Sequence, residues 1–482
     1  MNFKLNKLVL ATLTGSFLLG FGANAMADST FDLVQALVTK GVLTEEEALP
    51  LLKGRENDIQ LADKKVKKAA KLSVSDAIDN ATLYGDIRVR EEYRAGHDAG
   101  AGAAQNKEVR DRLRYKVTLG VKSTAGNFYS DLAFAMGAGG RSDNSTFGNG
   151  NATAANQNGS NNKETLFVKR AMVGWNATDW LALEAGRIAN PLYTTEMVWD
   201  KDLTMEGLAE KANYILNDGT ELFGNFVQSQ YVGDRREANG TANDRVTNFL
   251  LAFQGGAKYK FNDSVSAKAG LTYTKYTNNK PSGITGAFQP ALGALATFNP
   301  ATATNVQSTN NISTIEIPAE VSLKSAATGD IGIKLFGDYA YNLDGSDRYN
   351  AAVAATAAGV ARNAISAAGN DDTAWLLGIG AEMKQGKIPQ KGDWAARLWY
   401  QEVGVYSIDP NAVDSDFFDS RVNMQGVVFK GEYNLTDNVY LNGAAGHATR
   451  KNSNLAAVGT GNDLRVNLDS FNLLQLDLTY KF

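Results

Sequence analysis

The chain ends in Asn472-Leu-Leu-Gln-Leu-Asp-Leu-Thr-Tyr-Lys-Phe482, and the reading of this stretch decides the fold. Successive side chains of an extended strand point to opposite faces. Leu474, Leu476, Leu478, Tyr480 and Phe482 therefore share one face, and Gln475, Asp477, Thr479 and Lys481 the other. Periodicity alone favours an ordinary half-buried strand of a soluble sheet, but a strand with one face in lipid reads the same way. The two readings separate on whether the rest of the chain repeats the pattern.

From Ala81 onward it does. Leu83, Gly85, Ile87 and Val89 alternate with Tyr84, Asp86, Arg88 and Arg90. Val109, Leu113, Tyr115, Val117, Leu119 and Val121 alternate with Arg110, Arg112, Arg114, Lys116, Thr118 and Lys122. Further alternating segments lie near 126–138, 164–176, 180–188, 205–216, 220–232, 245–260, 264–277, 311–325, 330–343, 372–385, 393–406, 421–434, 438–449 and 465–482. The pattern is weakest at 180–188 and 205–216. The total is about sixteen, even as bacterial barrels require, and each segment is long enough to cross a bilayer at a tilt.

The connections alternate in length. Ser123 to Asn127, Asn176 to Asp179, Asn217 to Gly219, Asn262 to Ser264, Ala326 to Gly329 and Asn434 to Asn438 read as tight turns. Between them lie long stretches at 95–106, 139–163, 189–204, 233–244, 278–310, 344–371, 407–420 and 450–464. A soluble sandwich has no reason to obey that rule, whereas a barrel has short turns on one rim and long loops on the other. Phe128, Trp175, Trp180, Phe261, Trp394, Tyr433, Tyr440 and Phe482 fall beside the turns, and Tyr93, Tyr231, Tyr276, Tyr341, Trp375 and Tyr406 beside the loops. These are the expected girdles at the two membrane interfaces.

The beginning of the chain is different in kind. Residues 1–27 read as a cleaved signal peptide: Lys4 and Lys7, a short apolar core over Leu8 to Gly22, then Ala25-Met26-Ala27. Cleavage takes the formal net charge from -4 to -6 by removing two lysines. Residues 28–80 read as a short α-helical periplasmic extension. Phe31, Val34, Leu37 and Val38 have helical spacing, Thr44 to Glu47 fits a capping box, and a Lys-rich segment runs from Glu56 to Leu72. Its thin apolar seam suits self-association or contact with the cell wall, and suits a solvated spacer as well. Residues 81–482 form the barrel. The chain has no cysteine, which excludes disulfide scaffolds, thiol catalysis and zinc–cysteine sites. No run of about 18 apolar residues follows the signal and the mean hydropathy is -0.27, which excludes a helical membrane protein but cannot reject a barrel.

Two resemblances follow from these residues. The alternating end at Tyr480 and Phe482 resembles the C-terminal signal that the barrel-assembly machinery reads in outer-membrane proteins. The helical start followed by Leu83-Tyr-Gly-Asp-Ile-Arg-Val-Arg90, Trp180-Leu-Ala-Leu-Glu-Ala-Gly-Arg187 and Asn190-Pro-Leu-Tyr-Thr-Thr-Glu-Met-Val-Trp-Asp200 resembles the putative-porin family of Gram-negative outer membranes. That resemblance implies an all-β membrane barrel of about sixteen up-and-down strands in outer-membrane lipid. It also implies a homotrimer and a water-filled channel for passive diffusion of small hydrophilic solutes and ions, with no cofactor and no metal.

The polar faces are expected to line the pore, since Arg facing lipid at mid-membrane costs about 2–4 kcal/mol. Arg88, Arg90, Arg110, Arg112, Arg114 and Lys116 form a cationic ladder on neighbouring strands, which would give a modest anion preference. Asp86, Asp131, Glu184, Glu316 and Glu320 are the candidate opposing acids, and Glu196, Asp200 and Asp202 mark 189–204 as a constriction loop. The competing expectation is that these charges pair with one another and keep the lumen wet. A nucleic-acid partner is not expected, because the chain is acidic and its arginines alternate with lipid-type side chains. An outer-membrane hydrolase is disfavoured, since the two histidines, His97 and His447, are assigned to a loop and a strand end rather than beside a nucleophile. A sleeve or scaffold for a periplasmic or extracellular partner is the alternative.

Overall fold

The computed structural model describes residues 78–98, 107–137, 142–148, 164–232, 248–277, 311–324, 331–355, 359–385, 388–453, 455, 457–459, 463–464 and 468–482. The expected signal peptide and nearly all of the expected helical extension lie outside these residues. The first strand begins at Asn80, one residue inside the segment assigned to that extension.

Antiparallel strands close into one barrel. They are β1 (Asn80–Asp98), β2 (Lys107–Ala125), β3 (Phe128–Gly137), β4 (Thr165–Asn176), β5 (Leu181–Ala189), β6 (Thr204–Asn217), β7 (Thr220–Val232) and β8 (Asn248–Lys260). There follow β9 (Val265–Tyr276), β10 (Ser313–Glu316 and Ala319–Lys324), β11 (Ile331–Asn342), β12 (Thr373–Met383), β13 (Trp394–Val403), β14 (Met424–Asn434), β15 (Val439–Arg450) and β16 (Leu468–Lys481). Each strand pairs with its neighbours in sequence, and β16 returns to β1 with Asp86 opposite Lys481 and Val89 opposite Leu478. The sixteen-strand expectation therefore holds. Strand β10 is split at Pro318, which has no N–H to give the ladder; its carbonyl instead accepts from Gly270 at 2.9 Å.

Solvent exposure on β16 is inverted relative to a soluble sheet. Leu474 is 59% exposed and Leu476 49%, while Gln475 and Asp477 are 4% and 5% exposed. Apolar residues face out and polar residues face in, as a lipid-facing wall requires. Along the short-turn rim, Phe128, Trp175, Trp180, Phe261, Tyr433 and Phe482 are exposed, with Phe128 stacked on Trp175 at 6.2 Å. The loop-rim girdle is thinner than expected. Tyr276 and Tyr406 are buried, and Tyr276 donates to Asp409 of a loop folded inside the rim. A strand-end tyrosine has the same spacing whether it faces lipid or lumen only one residue along, so the sequence position did not separate the two.

Inward aromatic rings lie flat along the wall over glycines of the next strand. A Cβ on Gly120 would come within 2.4 Å of the Tyr84 ring, and one on Gly256 within 2.1 Å of Phe223. Glycine thus leaves room for a ring that would otherwise project into the lumen.

The long connections are not all open chain. Residues 344–371 include α1 (Gly345–Ala355) and α2 (Val360–Ala368), which use the alanine-rich sequence of this stretch. The described residues of this connection and of those at 404–423 and 451–464 share an apolar core at the loop rim. Ile365, Tyr406, Val413, Phe417 and Leu464 pack with Trp399 and Phe471 of the wall. His97, expected in a loop, lies within β1. His447 sits near the end of β15 and bonds Asn472 at 2.8 Å.

Candidate functional site

The connection between β5 and β6 crosses the lumen. It leaves where Gly186 and Gly207 stand opposite each other with φ of 118° and 158°, a bend that a Cβ at either position would block. Asn190 turns the chain by accepting from Leu192 N–H at 3.0 Å. Tyr193 then exchanges two hydrogen bonds with Gln254 of β8, each 2.8 Å. Thr194 donates to Glu316 of β10 and Thr195 to Asp338 of β11, each at 2.5 Å. Glu196 reaches Lys430 of β14 at 3.2 Å and Arg397 of β13 at 3.4 Å, and also pairs with Lys201. The β5 and β13 strands are half a barrel apart, so the loop spans the interior. Burial alone would raise the Glu196 carboxyl, but Lys430, Lys201 and Arg397 overcome this and hold it below the usual carboxylate range.

The far end of this loop is clamped by the 404–423 connection. Asp200 N–H donates to the Ala412 carbonyl at 2.6 Å, and Ser415 N–H to the Asp200 carboxylate at 3.2 Å. Of the three residues that singled out the loop, Glu196 and Asp200 are pinned, and Asp202 reaches Lys169 at 4.0 Å.

The cationic ladder faces inward, but carboxylates absent from its expected partners occupy it. Glu92, its side chain fully buried, lies between Arg94 at 3.1 Å and Arg114 at 3.6 Å and accepts from Arg112 at 2.7 Å. Asp477 of β16 takes Arg90 at 2.7 Å and Arg88 at 3.5 Å. Two loops supply the rest. Asp416 reaches Arg94 at 3.0 Å and Arg90 at 3.1 Å, and Asp463 reaches Arg110 at 3.0 Å and Arg112. Lys116 reaches Asp143 at 3.7 Å. Burial would raise both loop carboxyls, yet Arg90 and Arg94 lower Asp416, and Arg94 and Arg112 lower Asp463.

Among the described residues none of the five expected acids forms an ion pair with the ladder. Asp131 pairs with Arg170 at 3.3 Å, Glu184 with Lys211 at 2.6 Å and Glu320 with Lys334 at 3.5 Å. Glu316 anchors the crossing loop, and Asp86 lies on the inward face of β1 level with Thr118. The missed residues Glu92 and Arg94 carried a signal, since the alternation that selects Arg88 and Arg90 continues through them. Asp416 and Asp463 carried none, because only the fold of their loops brings them to the wall.

The crossing loop borders two cavities. One, about 430 Å³, lies among Arg88, Arg90, Arg397, Lys430, Glu196 and Asp202; the other, about 460 Å³, among Lys122, Asp131, Arg170, Glu184 and Lys211. Among the described residues no group of three or more His, Asp or Glu side chains could hold a metal.

A closed barrel with apolar outer faces, a polar interior and a loop folded across it defines the class: a porin-type barrel. Residues 99–289 match a family model described as Putative porin, in agreement with the resemblance read from the sequence. Among solved structures, the chain is similar to an anion-selective porin from Comamonas acidovorans, at 12% identity and TM-score 0.42, over 84% of this chain and 99% of that one. It is similar also to OmpT, an outer membrane protein of Vibrio cholerae, at 12% identity and TM-score 0.41, over 86% of this chain and 100% of that one. No curated protein matches by sequence. The family match and the closed barrel support an outer-membrane porin.

Proposed function

We propose that the chain is a passive channel for small hydrophilic solutes and ions, with its turn rim in the periplasm and its loop rim outside. The observation that carries this reading is the crossing loop, fixed to β8, β10, β11, β13 and β14 by side-chain bonds that narrow the lumen. Fixed polar walls and a rigid constriction suit diffusion rather than tight binding of one ligand.

The anion preference first assigned to the Arg ladder is carried instead by lumen cations that lack a paired acid. Glu92, Asp416, Asp463 and Asp477 offset the ladder's charge. Lys122 of β2, Lys258 of β8 and Lys268 of β9 have no carboxylate within ion-pair distance among the described residues. Lys268 lies over the Tyr193 ring at 3.9 Å, beside the constriction, and Lys258 stands directly opposite it in register. These ammonium groups set the local potential that a permeating anion meets.

Purified protein in planar bilayers is expected to give stepwise conductance with a small anion preference. A folded, heat-modifiable barrel with no conductance would overturn the channel and favour a sleeve around a partner.

A further inference from the structure

The cavity of about 430 Å³ beside the crossing loop holds cations and acids on separate levels of the wall. On β14, Lys430 and Glu432 both line it, two residues and so about 7 Å apart along the strand. At the Lys430 level, toward the loop rim, the neighbours in register are Arg397 of β13 and Ala444 of β15. At the Glu432 level, toward the turn rim, they are Ala395 and Asn442. The two alanines are too short to fill the space between the charged groups.

The Lys430 level carries more cation than acid. Lys430, Arg397 and Lys201 share the one carboxylate of Glu196. Asp414 also lines the cavity, but burial raises its carboxyl toward the neutral form. Lys430 lies over the Phe417 ring at 4.2 Å and Arg397 over Trp399 at 5.6 Å, contacts that hold both cations in place. The Glu432 level is the reverse. Exposed Glu432 has no cation within ion-pair distance among the described residues, since Lys430 turns to Glu196. Asp477, at the same level, already takes Arg90 and Arg88.

We propose that this cavity is a weak, transient binding site for free α-amino acids, a reading that rests on the channel proposed above and names its solute class. The carboxylate meets Arg397 and Lys430, and the ammonium meets Glu432 and the Asn442 amide. With a charge-assisted hydrogen bond of about 2.8 Å at each end, the short span between the two groups of an amino acid bridges the two levels. A solute with a carboxylate alone leaves Glu432 unpaired and beside it, and a solute with an ammonium alone meets Arg397 and Lys430, so each loses one contact and gains a like charge.

Saturation-transfer NMR on the purified protein reads such binding without transport. The probes are L-alanine, propionate and lactamide, three solutes of similar size that carry both charges, the carboxylate alone and neither. L-Alanine is expected to give a signal about tenfold stronger than either of the others, and Glu432→Gln to bring it down to their level. The heat-modifiable shift shows whether that variant has folded. No signal from L-alanine, equal signals from all three probes, or an undiminished L-alanine signal in folded Glu432→Gln would each overturn the proposal. Uptake of labelled L-alanine into proteoliposomes separates the site from the channel. Uptake that saturates with concentration supports both, and binding without uptake of any probe would sink the channel reading while leaving the site. Linear L-alanine uptake without binding would sink the site alone.

Discussion

The β1–β2 wall and the β8–β9 wall both carry inward cations, and they differ in what the loops bring to them. On β1–β2, Glu92 within the wall, Asp416 and Asp463 from loops and Asp477 from β16 turn a row of arginines into a buried ion network. On β8–β9, no described loop brings a carboxylate to Lys258 or Lys268, and Lys268 rests against an aromatic ring. A row of inward cations is therefore a structural seam in one place and, in the function proposed above, a source of lumen potential in the other. Local sequence offers only Glu92, because the other deciding acids, Asp416, Asp463 and Asp477, lie hundreds of residues away.

The largest expected effect comes from breaking the seam. Glu92→Gln leaves Arg94, Arg112 and Arg114 without their shared carboxylate in a buried site, a loss of about 3–5 kcal/mol. It should appear as a lower urea midpoint for loss of the heat-modifiable form.

Next comes the loop that lies between the two walls. Thr194→Val with Thr195→Val removes its bonds to Glu316 and Asp338, each worth about 0.5–1.5 kcal/mol net. Single-channel records should show larger and noisier steps. Unchanged steps would mean that the Glu196 anchor suffices alone. That anchor should persist through mild acid, because Glu196 stays ionised below its unfolded range; its contribution is lost only as the pH falls through the lowered value.

A smaller effect of opposite sign is expected at Asp414 in the 404–423 connection. Burial raises its carboxyl, and Asp200, Asp416 and Glu196 add to this while Lys430 opposes it. A raised carboxyl stabilises the fold in its protonated form, so its contribution is present in mild acid and lost as pH rises through the raised value. Asp414→Asn should raise the urea midpoint at neutral pH and flatten its dependence on acidification. The smallest effect lies at the β8–β9 turn, where Lys260 and Asp263 pair at 2.6 Å in full view of solvent. Lys260→Ala should leave the midpoint within error.

Much of the barrel was legible because its determinants are local. The period of two on β16 and β2, the Asn-rich turns and the aromatic residues beside them each report one rim or one face without reference to distant residues. The crossing loop was legible for the same reason, as an acidic connection after a short strand. What escaped was set by long-range folding. The acids on the Arg ladder, the inward turn of Tyr276 and the helices inside residues 344–371 depend on how loops return to the lumen. The faint alternation at 180–188 and 205–216 was read as poor strands, and it instead records outward Arg187, Glu206 and Glu210.

Lumen selectivity is expected to reside in Lys122, Lys258 and Lys268 and not in the ladder. It is tested most directly by the reversal potential in a planar bilayer under a potassium chloride gradient, comparing wild type with two triple variants. Lys122→Ser, Lys258→Ser and Lys268→Ser together should move the reversal potential toward cation preference. Arg110→Ser, Arg112→Ser and Arg114→Ser, in those variants that still fold, should move it less, because these three lie toward the loop rim of β2, whereas Lys268 lies over Tyr193 at the constriction. A larger shift in the arginine variant than in the lysine variant would contradict the account.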